Sequence, residues 1–252
     1  MTRILSWDVG IKNLAYCIIE ESIAQDSGQT NLHIIDWDVY NISPEDKCDY
    51  VSKVACIKSA SFHCATSNLF FCSAHIKKYQ IDNPDEKFKK IVLGKDHFFA
   101  RNCRLPEILD TRRDLFLSCE HVVIENQPIL KNPVMKTIQM ILYSYFLLRG
   151  ITDKEVNQSR TESIQCYSAT NKLKANGQEL NNLTISTKDY KDRKKASIDM
   201  VKQLVVGTPN HAAFFAGHKK KDDLADCFLQ AIAYRRFYMG HSTTFVLLDK
   251  EV

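Results

Sequence analysis

The sequence predicts a mixed α/β protein: a five-stranded mixed sheet flanked by helices, interrupted after its third strand by a cysteine-rich insertion. Three observations predict it. The chain opens with three strand-like runs joined by short polar turns, the pattern of an antiparallel meander. Two further short apolar runs, near 121–125 and 162–168, alternate with segments of helical periodicity. Between the meander and the rest, residues 44–100 lose all periodicity and become rich in Lys, Ser, Cys and Phe, which marks an insertion in one domain spanning 1–252.

The first run, Ile4-Leu5-Ser6-Trp7-Asp8, reads as a strand that ends by pushing one carboxylate into a tight turn. Gly10 is expected to take a backbone conformation closed to other residues. Leu14 to Ile19 is then the second strand, and residues 33–40 alternate as a third. Past the insertion, Leu105, Ile108, Leu109, Leu115 and Phe116 fall at near-helical spacing, in a helix entered through Pro106. His121-Val122-Val123-Ile124-Glu125 is a short strand that again ends in a carboxylate, followed by Asn126-Gln127-Pro128. Asn132-Pro133 opens a long apolar helix that closes near Gly150. It is greasier than a one-faced surface helix needs, so burial or a dimer contact is expected of it.

After the strand near 162–168, residues 170–187 read as a polar loop containing Asn176-Gly177. Residues 190–206 make a basic amphipathic helix, stopped by Gly207-Thr208-Pro209, and a mobile segment with His211, Gly217 and His218 is expected next. The last helix covers 222–238. Its Leu224, Ala225, Phe228, Leu229, Ile232 and Ala233 form a buried stripe, while Asp223 and Asp226, three apart, emerge on one side of the first turn. The helix dipole accounts well for one acidic residue there and less well for two.

Composition narrows the class. No apolar run approaches the roughly 20 residues that span a bilayer, and the chain begins at once with a strand instead of a signal peptide, so no membrane association and a cytosolic or nuclear protein are expected. Of nine cysteines, Cys17, Cys103, Cys119, Cys166 and Cys227 sit in apolar contexts and read as reduced core residues. The net charge is only +4, but the positives are clumped at Arg193-Lys194-Lys195 and Lys219-Lys220-Lys221, where local potential attracts phosphates. On charge alone, a solvated charged face is the commoner explanation of such clumps. There is no Gly-x-Ser-x-Gly elbow and no P-loop. The eight glycines are unclustered, which argues against the glycine-rich phosphate loops of an ATPase and against a nucleotide cofactor.

Four carboxylates therefore stand out, each at an element terminus: Asp8, Glu125, Asp223 and Asp226. Asp222 with Asp226 would also share a helix face, so the ligand pair on the last helix is open between Asp222 and Asp223. A carboxylate buried at a strand end needs a cation or hydrogen-bond donors, or its desolvation costs several kcal/mol. Hard oxygen donors suit Mg²⁺ or Mn²⁺. Two such ions about 3.5–4 Å apart activate a water and stabilise the leaving oxygen of a phosphodiester, which is nuclease chemistry without a side-chain nucleophile.

These residues carry a resemblance. The element order with its three acidic motifs is similar to the RNase H-like fold, and more narrowly to the RuvC-like Holliday junction resolvases of large DNA viruses, the poxvirus type. The matching stretches are Ser6-Trp7-Asp8-Val9-Gly10-Ile11-Lys12-Asn13-Leu14-Ala15, Ile124-Glu125-Asn126-Gln127-Pro128 and Lys220-Lys221-Asp222-Asp223-Leu224-Ala225-Asp226, with a weaker match at Arg193-Lys194-Lys195-Ala196. The resemblance implies a homodimer that cuts two opposed strands of a four-way DNA junction with two divalent metals per active site. Asp8, Glu125, Asp223 and Asp226 are then the ligands, Asp223 being preferred because the family's pair is spaced by three. It also implies a catalytic lysine at Lys195, with Lys194 its close rival, and a second basic position at Lys172 or Lys174. Lys12, Lys194, Lys220 and Lys221 are further candidates to touch DNA. The implied compartment is the host cytoplasm where a virus replicates, with the nucleus not excluded. Four carboxylates report metal chemistry and not nucleic-acid shape, so RNA–DNA hybrids or flaps are alternative substrates, and a non-catalytic junction-binding protein is a third reading.

The insertion holds the remaining four cysteines. Cys56, Cys64, Cys72 and His75 are candidates for a structural Zn²⁺ site, with Cys48 a spare. Some viral relatives carry a Cys-x-x-Cys and Cys-x-x-His insert, and this sequence departs from it at Cys56-Ile57-Lys58-Ser59. Either Cys64 or His63 substitutes for the missing ligand, or the cysteines pack a small metal-free subdomain with Phe62, Phe70 and Phe71.

Overall fold

Thr2–Asp8 forms β1 and Leu14–Ile23 forms β2, paired antiparallel from Thr2 opposite Glu21 to Asp8 opposite Ala15. The computed structural model describes residues 1–43, 46–91, 98–130, 132–168, 190–240 and 244–249. The polar loop expected over 170–187, with Lys172, Lys174 and Asn176-Gly177, lies outside the described residues. In the β1–β2 turn a glycine is needed at position 10 for a different reason from the one expected. Its φ is not in the left-handed region. Instead a Cβ there would sit 2.2 Å from the carbonyl oxygen of Asn13, so close backbone approach excludes any side chain. β3, Thr30–Tyr40, completes the meander antiparallel to β2, with a register shift between Ile18 and Ile19.

The chain divides into two units, one of residues 1–42 with 104–252, the other of residues 43–103. The smaller unit contains a three-stranded antiparallel sheet, ordered β5-β4-β6, of β4 (Phe62–Cys64), β5 (Leu69–Phe71) and β6 (Phe88–Lys90), together with helix α1 (His75–Asp82).

Helix α2, Phe98–Asp110, crosses the boundary between units and carries Pro106 inside it rather than at its start. A proline forfeits its own bond and crowds the preceding turn, yet helical residues on both sides keep the segment helical. After α3 (Arg113–Leu117) comes β7, His121–Glu125. Helix α4, Pro133–Tyr145, starts where the Asn132 side chain accepts from the Met135 amide, with Pro133 in the first turn. It continues as a π-helix over Phe146–Thr152, in which a Cβ at Gly150 would press on the Thr161 side chain at 3.1 Å. β8 is Ser163–Tyr167 and α5 is Tyr190–Leu204.

The segment expected to be mobile is largely a helix, α6 (Pro209–Gly217), anchored by Phe215 stacked on Trp37 at 5.3 Å. α7 is Lys221–Tyr238. A sixth strand that the sequence did not announce, β9 (Val246–Leu248), pairs parallel with β3. Three residues are too short to show a period.

The sheet order is β8-β7-β1-β2-β3-β9, with β1, β7 and β8 mutually parallel. Period-two alternation sorts its side chains onto two faces. Ile4, Ala15, Cys17, Ile34 and Val123 pack with Met200, Val201, Leu224 and Phe228 of α5 and α7. Leu5, Trp7, Tyr16, Ile18, Val122 and Ile124 pack on the other side with Leu105, Phe116, Ile138 and Leu142 of α2, α3 and α4. A sheet covered on both faces explains the unbroken runs of buried residues in β1, β2 and β7. Cys17, Cys119 and Cys227 are buried in these layers as expected, whereas Cys103 and Cys166 are exposed. Among the described residues no helix is long and apolar enough to cross a membrane.

Candidate active site

β1 and β7 run parallel with Trp7 opposite Ile124, so Asp8 and Glu125 follow side by side at the ends of their strands. Alternation also fixes the face. Ile4 packs toward α7, the Ser6 hydroxyl accepts from Gln230 Nε2 at 3.0 Å, and Asp8 comes next on that side. Glu125 likewise follows Val123. The Val9 amide donates to Glu125 Oε2 at 3.4 Å, which ties the second carboxylate to the first strand.

α7 lies antiparallel to β1. Gln230 Nε2 donates to the Trp7 carbonyl at 3.1 Å, and Arg235, further along, donates to Glu21 at 2.6 Å, near the start of β1. Its first turn therefore stands at the C-terminal end of the strand. Asp226 and Asp223 precede Gln230 by four and seven residues and share its helix face. About 6 Å of helix separates Gln230 from Asp226, and about 6–7 Å of strand separates Ser6 from Asp8, which brings Asp226 level with Asp8.

Charge agrees with this placement. Burial, then Asp222, then Asp8 push the Asp223 carboxyl up to about 6, against the opposing charges of Lys194 and Lys220. Asp223 Oδ2 is buried without a hydrogen-bond partner. Asp222 is different. Burial raises it, but the Lys194 ammonium in direct contact outweighs burial and holds its carboxyl below the ordinary range. Of the two aspartates left open by the sequence, Asp223 therefore lies within electrostatic reach of Asp8, and Asp222 is engaged by α5.

The basic candidates separate too. Lys194 is half-buried against Asp222, whereas Lys195 is exposed and its charge acts on Asp199. Lys12 is exposed in the β1–β2 turn, and Lys220 is exposed at the entry to α7. Lys221 turns back, its Nζ donating to the His218 carbonyl at 2.9 Å.

Sequence reasoning passed over a set of amides behind Glu125. Gln127 Nε2 donates to Glu125 Oε2 at 2.7 Å, and the Gln127 amide donates to Gln139 Oε1 at 2.8 Å. Lys136 Nζ bridges Gln139 Oε1 at 3.0 Å and Asn126 Oδ1 at 3.2 Å. The signal was Gln139 among the apolar residues of the helix after Pro133: it is fully buried, and a buried glutamine needs polar partners.

In the smaller unit, Cys48, Cys56, Cys72 and His75 bring their ligand atoms within 4.8 Å of one another. Cys64, expected in that group, is not in it. Its thiol donates instead to Glu86 Oε2 at 2.9 Å, and His63 is occupied by Phe70 stacking and by Asn68 at 3.0 Å.

Comparison with known proteins bears on the larger unit. Residues 110–236 match the family described as Poxvirus A22 protein, a stretch that contains Glu125, Asp223 and Asp226. The chain is 27% identical over 315 residues to the "Uncharacterized protein L451" of Acanthamoeba polyphaga mimivirus, covering 94% of this chain and 75% of that one. Among solved structures it is similar to the yeast mitochondrial Holliday junction resolvase Ydc2, at 17% identity and a TM-score of 0.50, covering 93% of this chain and 79% of that one. It is also similar to the Fowlpox virus resolvase in complex with substrate Holliday junction DNA, at 15% identity and a TM-score of 0.47, covering 94% and 99%. At 17% identity the likeness to the yeast resolvase shows a shared fold, of the RNase H-like type.

Proposed function

Because this chain belongs to the Poxvirus A22 protein family, the poxvirus family of Holliday junction resolvases, we propose that Asp8, Glu125, Asp223 and Asp226 form its catalytic centre. The protein is a junction-resolving endonuclease. The observation that carries the site is the convergence of two parallel strand ends with the first turn of α7, where burial and then the charges of Asp222 and Asp8 raise the Asp223 carboxyl.

The donor set fits divalent metal. Carboxylates crowded until one of them resists ionisation, with a buried Asp223 oxygen lacking any partner, are relieved by a hard cation and by little else. Asp8, Glu125, Asp223 and Asp226 would hold Mg²⁺, or Mn²⁺ in its place, two ions per site. Bound there, the metal supplies an activated water and charge stabilisation at the phosphodiester.

The chain's own groups prepare the site. Gln127 and the Val9 amide both donate to Oε2 of Glu125 and fix the direction of that carboxylate. Lys194 holds Asp222 aside and keeps a positive charge near the cluster, available to a phosphate oxygen. Lys12 and Lys220 are exposed where a sugar–phosphate backbone can approach. Branched DNA as the partner, a homodimer making paired nicks, and action in the cytoplasm where a virus replicates complete the reading.

The test uses the full chain on a synthetic four-way junction, a linear duplex, a flap and an RNA–DNA hybrid, each with Mg²⁺ and with EDTA. Paired, metal-dependent nicks in the junction alone are expected. Cleavage of hybrid or flap with the junction left intact would overturn the reading.

A further inference from the structure

Among the described residues the smaller unit has a small core, in which Tyr50, Cys56, Phe62, Leu69, Tyr79 and Phe88 lie half-buried against a few buried side chains. Its buried apolar cluster consists of Cys48, Phe71, Cys72 and Ile76, so two of its four members are cysteines of the group described above. So small a core cannot offset the ordering of residues 43–103, and units of this size usually rely on a metal or disulfides. The described cysteines are free thiols.

We propose that Cys48, Cys56, Cys72 and His75 bind one structural Zn²⁺, and that this ion is the organising centre of the 43–103 unit. Three thiolates and one imidazole form a closed tetrahedral set, with no donor left for water or substrate. The four ligand atoms already lie within 4.8 Å of one another, with Cys48 Sγ 3.5 Å from His75 Nδ1. A ligand shell of Zn–S about 2.3 Å and Zn–N about 2.0 Å fits such a group after only small side-chain shifts.

The backbone is arranged for it. Cys72 stands just before α1, and His75 is the first residue of that helix. The His75 and Ile76 amides both donate to the Cys72 carbonyl at 3.1 Å, closing a tight turn that holds Cys72 and His75 on one side. The His75 and Ala74 amides hydrogen-bond to the Cys72 sulfur and fix its direction. On the other side, the Cys56 amide donates to the Tyr50 carbonyl at 3.1 Å, folding the 48–56 loop back on itself. Tyr50 then stacks on the His75 ring at 4.3 Å between centroids, covering it and limiting its rotation.

A disulfide among these cysteines is the competing use of the same atoms. It would consume two thiols and leave the third cysteine and His75 without a role. Soft thiolates with an imidazole favour zinc over magnesium or calcium. The proposal is independent of the catalytic carboxylates, which lie on other residues.

The experiment measures zinc in the full chain, purified with reductant and without chelator, by elemental analysis and X-ray absorption at the zinc edge. One zinc per chain with three sulfur neighbours and one nitrogen neighbour is expected. Cys48→Ser should lose the metal, whereas Cys64→Ala and Glu125→Gln should keep it. Co²⁺ substitution of the unmodified chain gives a readout that no folding defect can mimic, namely thiolate charge-transfer bands and tetrahedral d–d absorption. Absence of zinc together with absence of those bands would overturn the proposal, as would retention of zinc by Cys48→Ser with loss in Cys64→Ala.

Discussion

Lys194 of α5 is ion-paired to Asp222, while the next residue of α7, Asp223, lies in the field of Asp8. Two adjacent aspartates are thus given different work. One pairs with a lysine of α5, and the other lies within electrostatic reach of the strand-end Asp8. The same contact distinguishes the neighbouring lysines, because Lys195 faces solvent and Asp199.

Lys194→Ala is expected to slow junction cleavage about 10- to 100-fold, the cost typical of groups that support metal ligands. Lys195→Ala should stay within about threefold of the parent. Single-turnover cleavage of a labelled junction measures both, and the reverse order would remove Lys194 from the site.

Glu125→Gln keeps the shape of the side chain and removes a charge. Junction binding in a gel-shift with Ca²⁺ should survive, while cleavage with Mg²⁺ falls by at least about 10²-fold, since metal charge stabilisation is worth several kcal/mol. Unimpaired cutting would show that Glu125 is not a ligand.

Asp223 gives a pH-dependent stability prediction. Its carboxyl titrates at about 6 in the fold, against about 3.9 unfolded. The folded state holds the proton more tightly, so the stability linked to this group is complete below about pH 4 and is lost as pH rises through 6. Asp223→Asn stays neutral throughout. In EDTA its melting temperature should match the parent at pH 4 and exceed it by about 2–4 °C at pH 7.5, after discounting for solvent screening of a partly exposed group. An equal difference at both pH values would refute the linkage, and the stabilised variant should bind metal poorly.

Gln139 reaches Glu125 through Gln127. Gln139→Leu leaves the Gln127 amide without its acceptor and should lower kcat about 10- to 100-fold with little change in junction affinity. Gln139→Glu retains an acceptor for that amide and for Lys136, so it should restore most of the rate. A loss of affinity instead of rate would assign the network to DNA binding.

Gly10→Ala should destabilise the chain by about 1–3 kcal/mol, because the added methyl meets the Asn13 carbonyl oxygen at 2.2 Å. Urea unfolding with unchanged m-value would show it, and a neutral result would mean that the turn yields easily.

Period and punctuation in the chain were enough to read β1, β2, β3 and β7, the long helix after Pro133 and the stripe of α7, because each buries a face whose spacing repeats along the sequence. The helix of 209–217 escaped, since its stability comes from Trp37 stacked on Phe215 rather than from a pattern of its own. So did β9, which exists only where β3 offers an edge. Pro106 misled the start of α2 because a helix entry and a tolerated interior proline look alike without the preceding turns.

By itself the sequence determined which residue types carry the chemistry: carboxylates at element ends, clustered lysines, and thiols confined to an insertion. Only the tertiary structure decided which of several near-equivalent neighbours stands at each proposed centre. Asp223 over Asp222, Lys194 over Lys195 and Cys48 over Cys64 each differ by direction in space, set by strand register, helix phase and the partner that takes the other residue. A linear sequence records spacing along one element, whereas a polyvalent site depends on the distance between elements, and that distance is fixed only when both faces of the sheet are packed.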